Sequence, residues 1–156
     1  MSIYQDLVTD RVSNLEINKN PIIVSSSTPI REAVQKLKDN KKGCVLICEE
    51  KVLKGIFTER DLLNRVFGED KKLDIPLEEL MTFDPVTVQL NDIVSDAVKK
   101  MRNGGYRHLP VVTEEGCPVG VLSVKHIVHF LVDHFPEEVY NLPPDPDESP
   151  PTPEGA

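Results

Sequence analysis

A unit of the sequence occurs twice along the chain, and this repetition restricts the folds that the chain can adopt. The segment that begins at Asn20 matches the segment that begins at Asp84, at an offset of 64 residues. One extra residue in a later turn changes the offset to 65, so that Gly55–Thr58 matches Gly120–Ser123. A copy of this length buries little surface by itself, so the two copies are expected to share a core.

The repeat divides the chain into five parts. The first copy spans residues 20–67, the second spans residues 84–135, and a connection, residues 68–83, joins them. An N-terminal segment, residues 1–19, is expected to pack on the pair. Residues 136–156 form an acidic, proline-rich tail with no large apolar residue over its last 14 positions. A tail of this composition is expected to be disordered, because it buries too little surface to offset its ordering entropy.

Each copy has the pattern strand, helix, strand, strand, helix, which predicts an α/β chain of the α+β kind. Apolar residues recur at helical spacing in both copies, at Ile30, Ala33, Val34 and Leu37 and at Val94, Ala97, Val98 and Met101. Thr28 and Asp92 are expected to cap these two helices, and Gly104-Gly105 is expected to end the second one. Five short apolar runs predict strands: 22–24, 44–48, 52–57, 109–112 and 119–122.

The distribution of charge excludes several classes of partner. The net charge is −8, but the last 31 residues carry −7 of it, and the body is nearly neutral. Clustered Lys and Arg, the usual sign of a nucleic-acid partner, are absent from the sequence. The longest apolar run, Cys44–Cys48, is far shorter than the ~20 residues of a membrane helix. The N-terminus lacks the pattern of a signal peptide, so we expect a cytoplasmic protein without a nucleic-acid or membrane partner.

The three cysteines predict no disulfide framework, because their number is odd and no export signal is present. Cys44 and Cys48 lie on one predicted strand, where four residues separate their α-carbons by ~13 Å. A disulfide requires less than ~7 Å. Both thiols are therefore interpreted as small core side chains.

The stretch Thr58-Glu59-Arg60-Asp61 follows a predicted strand and opens a predicted helix. Thr58 with Asp61 three residues later has the pattern of a helix cap, which contributes about 0.5–2 kcal/mol. The same pattern suits ligand binding, because a carboxylate accepts two hydrogen bonds from a cis-diol and a helix start favours an anionic group. The two roles are compatible.

The doubled unit resembles a tandem pair of CBS domains, also called a Bateman module. The resemblance rests on Gly55–Asp61, on Gly120–Ser123 and on the stretch Tyr106–Val112. It covers about residues 1–135. It implies two pseudo-symmetric repeats whose sheets pack together, with clefts between them, and dimerisation of the pairs through exposed helices.

The resemblance also implies an adenosine-containing ligand: AMP, ADP, ATP or S-adenosylmethionine. It assigns the ribose diol to Asp61, and phosphate to Thr58 and to the basic side chains of Arg107 and His108. The full nucleotide-binding set that we predict comprises Val24, Cys44, Gly55, Thr58, Arg60, Asp61, Arg107, His108 and Ser123.

The two copies differ at the positions that would hold the ligand. His126 replaces the acidic residue in the second copy, and a neutral imidazole cannot bind a diol as a carboxylate does. Conversely, the basic pair Arg107-His108 corresponds to Gly43-Cys44 in the first copy. The sequence therefore predicts one nucleotide per chain, in a cleft that uses Asp61 from one copy and Arg107 from the other.

The predicted function is a stand-alone regulatory module that binds an adenine nucleotide and signals by conformational change to an unidentified protein partner. We expect a homodimer, no required cofactor and no enzymatic activity, because no nucleophile–base motif or Walker loop is present. One alternative is a ligand-free structural or interaction module. A metal protein using Cys117 with His126, His129 and His134 is less favoured, because zinc usually requires three or four ligands in closed geometry.

Overall fold

The computed structural model describes residues 9–134, which contain both repeats. In the first repeat, strand β1 (Ile23–Val24) leads to helix α1 (Ile30–Asn40) and then to strands β2 (Cys44–Glu49) and β3 (Val52–Thr58). A short helix α2 (Glu59–Asp61) follows and continues as a π-helical segment (Leu62–Val66). Strand β4 (Thr82–Phe83) belongs to the connection.

The second repeat has the same order of elements. Helix α3 (Val94–Gly104) precedes strands β5 (His108–Val112) and β6 (Pro118–Ser123), and helix α4 (Val124–Asp133) follows. Within residues 9–134, three 3₁₀ segments lie outside these elements, at Val12–Asn14, Asp70–Asp74 and Leu77–Glu79. The α/β class and the two repeats predicted from the sequence are therefore confirmed.

The two sheets have equivalent pairing. In the first, β1 lies parallel to β2, while β3 pairs antiparallel with both β2 and β4. In the second, β5 and β6 are antiparallel. Isolated bridges from Val88 to Val111 and from Asn18 to Val121 occupy the positions of β1 and β4 there.

Each repeat completes its core with the segment that precedes the other repeat in the sequence. Val12, Leu15 and Ile17 pack into the core of the second repeat. Leu77 and Met81, from the connection, pack into the core of the first repeat. The N-terminal segment and the connection are therefore equivalent parts of the fold, exchanged between its halves.

A small cluster of buried side chains joins the two sheets. Cys44, Leu46 and Ile56 of the first repeat contact Val121 of the second, and Leu53 packs against them. Near the hairpin turns, the Leu53 amide donates to the Gly116 carbonyl over 2.9 Å. The sheets thus pack together, and Cys44, Cys48 and Cys117 are all free thiols.

The predicted caps of the long helices are wrong by one residue. Helix α1 begins after Pro29 and α3 begins after Ile93, and neither cap uses a side chain. Thr28 instead contacts Ser25 through the two hydroxyl groups, and the Asp92 carboxylate accepts from the Gln89 amide at 2.8 Å. Short polar side chains bond readily within their own turn, which competes with capping.

The predicted helix after β3 is shorter and less regular than its counterpart after β6. Its π-helical part ends at Val66, and Phe67 follows with 81% of its surface exposed. No helix within residues 9–134 is long and apolar enough to cross a bilayer. The tail predicted to be disordered lies outside the described residues.

Candidate functional site: a cleft between the repeats

A cleft of about 790 Å³ opens between the two repeats. Strand β3 and helix α2 of the first repeat form one wall. The residues after β4 and those between α3 and β5 form the other. The lining residues are Gly43, Ile56, Thr58–Asp61, Leu63, Asn64, Thr82–Val86 and Gly104–His108.

The turn from β3 into α2 places Thr58 and Asp61 in this cleft. The Asp61 amide donates to the Thr58 hydroxyl at 3.2 Å, and the Thr58 amide donates to Asp61 Oδ2 at 2.9 Å. Both halves of the predicted cap are therefore present. The other carboxylate oxygen, Oδ1, lies 3.7 Å from Arg65 Nε. Oδ1 thus keeps hydrogen-bonding capacity for a ligand, while Oδ2 orients the carboxylate.

The start of α2 has fewer free backbone amides for an anion than its sequence suggests. The Glu59 amide donates to the Gly43 carbonyl at 3.0 Å, and the Asp61 amide is taken by Thr58. The regular helix ends after three residues. Two of the three amides of α2 are thus occupied, so side chains are the main source of attraction for phosphate in this cleft.

Basic side chains enter the cleft from both repeats. Arg60 Nη1 donates across the cleft to the Gly105 carbonyl at 3.3 Å. Arg107 is exposed, and within residues 9–134 its guanidinium has no hydrogen-bond or ion-pair partner. Guanidinium groups bind phosphate oxygens through two parallel hydrogen bonds, so Arg107 is available for an anionic ligand.

His108 and Glu59 meet at a corner of the cleft beside Gly43. A Cβ atom on Gly43 would lie 2.7 Å from His108 Nε2 and 3.9 Å from Glu59 Oε2. Burial lowers the pKa of His108 below its ordinary 6.5, and Arg107 and His126 add to this effect, whereas Glu59 opposes it. The imidazole is therefore mainly neutral at neutral pH.

The side of the cleft formed by β4 and the residues after it carries apolar side chains beside Asp84. Ile56 on β3 pairs with Thr82 on β4, which brings Phe83 and Val86 to this side. Phe83 is 62% exposed. An exposed aromatic ring in a cleft is a suitable surface for a flat heterocycle.

The turn after β6 repeats the geometry of the turn after β3. The Ser123 amide donates to His126 Nδ1 at 2.9 Å, where the first repeat uses a carboxylate oxygen. Because Nδ1 accepts this hydrogen bond, a neutral His126 carries its proton on Nε2. Burial lowers the pKa of His126, and His129 and Lys42 lower it further, against Glu16.

Five of the nine predicted site residues line the cleft together: Thr58, Arg60, Asp61, Arg107 and His108. The other four do not. Val24 is in the core of the first repeat, and a Cβ on Gly55 would meet Met81 Sδ at 2.6 Å. Cys44 is buried between the sheets, where burial raises its thiol pKa to about 12, and Ser123 caps α4 with His126.

The sequence reasoning missed several lining residues, notably Glu59, Phe83, Asp84 and Tyr106. Glu59 lies inside the stretch Thr58–Asp61, and Asp84 begins the second copy. Both residues are evident in the sequence. The sequence alone does not show, however, that the start of the second copy lines the same cleft as Thr58.

The three histidines proposed as metal ligands are not brought together. His134 Nδ1 contacts the Phe130 carbonyl at 2.8 Å, and its ring lies 4.2 Å from the Phe130 ring. In the described part of the chain, no three His, Cys, Asp or Glu side chains are grouped to hold a metal ion.

Comparison with known families and proteins gives consistent results. A family model described as "CBS domain" matches twice, at residues 12–68 and 77–133. The CBS domain-containing protein CBSCBSPB2 of Arabidopsis thaliana is 32% identical over 116 residues, covering 74% of this chain and 22% of that protein. The chain thus spans about a fifth of that relative's length.

Two similar structures contain adenosine ligands. The CBS domain pair of protein MJ0100, in complex with 5′-methylthioadenosine and S-adenosyl-L-methionine, superposes with a TM-score of 0.72 at 25% identity, over 80% of this chain and 97% of that one. CBS domain protein PAE2072 from Pyrobaculum aerophilum, complexed with AMP, superposes with a TM-score of 0.68 at 29% identity, over the same shares of each chain.

Proposed function

The chain belongs to the CBS-domain family as a pair of CBS domains, and from this premise we propose that it is a regulatory module whose cleft binds an adenosine-containing ligand. One observation carries the proposal. A single cleft is lined by Thr58 and Asp61 of the first repeat and by Arg107 and His108 of the second. The AMP, S-adenosylmethionine and methylthioadenosine held by similar pairs support this ligand class.

Each wall of the cleft has a role in this proposal. Asp61 accepts from the ribose hydroxyls, because its side chain is 13% exposed and already oriented by Thr58. The apolar side at Phe83 and Val86 receives the base. Arg107 contacts the 5′ substituent and favours a phosphate there.

The regulatory role follows from the position of the cleft. A ligand that contacts Asp61 and Arg107 at once touches both repeats, and it stabilises the relative arrangement in which both contacts are made. Such a change has an effect only through a partner that distinguishes the two arrangements. We therefore propose a protein partner and no enzymatic activity of the pair itself.

Exposed apolar side chains support a homodimer. Leu63 is 65% exposed and Phe67 is 81% exposed, and both lie where the first repeat ends. Val128 and Val132 on α4 are each 47% exposed. Apolar surface of this kind marks interfaces in soluble proteins, and we propose that a second copy of the chain covers it. Light scattering that shows only monomer at micromolar concentration would contradict this.

The ligand proposal is tested by titration calorimetry with AMP, ADP, ATP and S-adenosylmethionine. We expect one ligand per chain, with binding lost in Asp61→Ala. The matched control is His126→Ala, which removes the equivalent side chain of the second repeat and should change the Kd little. Asp61→Asn keeps an acceptor for the Thr58 amide and separates loss of the ligand contact from loss of the cap. Two equivalent sites, or binding indifferent to Asp61, would contradict a single site at Asp61, and binding of none of the four ligands would favour a structural module.

A further inference from the structure

The cleft combines anion-binding side chains with a larger number of carboxylates. Its guanidinium groups are Arg60 and Arg107, and its carboxylates are Glu59, Asp61 and Asp84. His108 adds little positive charge at neutral pH, because burial lowers its pKa. The charges of this cleft therefore suit a ligand with one phosphate group better than a ligand with a diphosphate or triphosphate group.

Glu59 is the carboxylate next to the phosphate side of the cleft. Its backbone is fixed to the first repeat by the hydrogen bond from its amide to the Gly43 carbonyl. Its Oε2 atom and the His108 ring both lie within 4 Å of the Cβ position above Gly43. An anionic group that reaches His108 from Asp61 therefore comes close to the Glu59 carboxylate.

Nothing in the described chain neutralises this carboxylate. Within residues 9–134 the Glu59 side chain forms no hydrogen bond or ion pair. The Glu59 side chain is exposed, so dissolved ions partly screen its repulsion of an anion, and this repulsion is strongest at low ionic strength. The equivalent residue of the second repeat is Val124, so only the turn after β3 carries a negative charge at this position.

We propose that Glu59 is a specificity-determining residue that limits the adenosine ligand to one phosphate and disfavours ADP and ATP. The proposal rests on the proposed function and concerns the same cleft. Arg60 and Arg107 balance the charge of a single phosphate. Each further phosphate adds negative charge beside Glu59 and is repelled, so the penalty increases with phosphate number.

The test compares the Kd values of AMP, ADP and ATP in titration calorimetry at low ionic strength, with a chelator present to remove divalent cations. We expect the unchanged protein to bind AMP most tightly and ATP most weakly. Glu59→Gln should tighten ATP by about fivefold and AMP by about twofold or less, so that the ratio of the two Kd values falls.

Two matched variants separate the role of Glu59 from the effect of total charge. Glu115→Gln removes one charge from the hairpin turn beyond β5, outside the cleft, and should leave the ratio unchanged. Asp84→Asn removes one charge from the apolar side of the same cleft and should lower the ratio less than Glu59→Gln does.

The outcomes distinguish this inference from the proposed function. A ratio that does not change in Glu59→Gln, or that changes equally in Asp84→Asn, would overturn the role of Glu59. If AMP binding still depends on Asp61, the proposed function stands in that case. If the protein binds none of the three nucleotides, the role of Glu59 is wrong, and if it does not bind S-adenosylmethionine either, the proposed function is wrong as well.

Discussion

The turn after β3 and the turn after β6 have the same geometry and opposite hydrogen-bonding chemistry. In both, the amide of a hydroxyl residue donates to the side chain three residues later, at 2.9 Å. In the first turn that side chain is Asp61, and its remaining atom is an acceptor. In the second it is His126, and its remaining nitrogen is a donor when the ring is neutral. A duplicated unit can thus keep a structural hydrogen bond while the ligand chemistry of its copies diverges.

The same comparison extends through the rest of the repeats. Both cores contain apolar residues from the segment that precedes the other repeat, and both long helices end in left-handed backbone. Only the second repeat carries histidines at the repeat interface. Each equivalence or difference can be tested by changing one copy and using the other as the control.

The largest expected effect concerns the exchanged segments. Leu77→Ala should lower the free energy of unfolding by about 2–5 kcal/mol, because Leu77 is fully buried in the core of the first repeat. The equivalent change Val12→Ala should cost less, since valine loses fewer carbon atoms. Urea denaturation measures both. A change below about 0.5 kcal/mol for Leu77→Ala would show that the connection is not part of that core.

Exchanging the two capping side chains should produce the next largest effect, on ligand binding. Asp61→His should weaken nucleotide binding by about 10–100-fold, because a charged acceptor of the ribose hydroxyls is replaced by a donor. His126→Asp, the reciprocal change, should leave the affinity of the first site unchanged. Calorimetric titration of both variants provides the comparison, and equal losses would argue that neither turn is specific for the ligand.

Helices α1 and α3 end in different residue types, and substitutions at these ends should change the free energy of unfolding by a smaller amount. Lys41 ends α1 with a φ of 52°, whereas Gly105 ends α3 with a φ of 67°. Lys41→Gly should raise the free energy of unfolding by about 0.5–1 kcal/mol, because glycine adopts this conformation without strain. Gly105→Ala should lower it by about 1 kcal/mol through strain alone, since a Cβ there meets no atom within 4 Å. Thermal denaturation that ranks the two variants in the opposite order would contradict the equivalence.

The smallest expected effect is a dependence of stability on pH that originates in the second repeat. The pKa values of His108 and His126 lie below their ordinary 6.5 in the folded protein. The unfolded chain therefore takes up protons first, and stability decreases as the pH falls below about 6.5. The variant His108→Gln with His126→Gln should show a flatter profile between about pH 7.5 and pH 5.5 in urea denaturation. An unchanged profile would show that these two side chains do not contribute.

The sequence by itself determined the repeat, the fold class and most element boundaries, because these depend on local periodicity and on turn residues. The spacing of Ile30 and Leu37 identified a helix that spans Ile30–Asn40, and Gly104-Gly105 marked the end of α3. The capping partnership of Thr58 with Asp61 was also visible, since both residues lie within one turn.

Only the tertiary structure decided which segments meet. Residues 12–17 pack on the second repeat, and Phe83 and Asp84 line the same cleft as Thr58, although long stretches of sequence separate them. Likewise, Thr28 and Asp92 look like caps in the sequence, but in the structure they bond within the preceding turns. The physical reason is that the spacing of apolar residues indicates which face of a single helix or strand is buried. The partner of that face is chosen by long-range packing of apolar surface, which is not encoded in the spacing of any single segment.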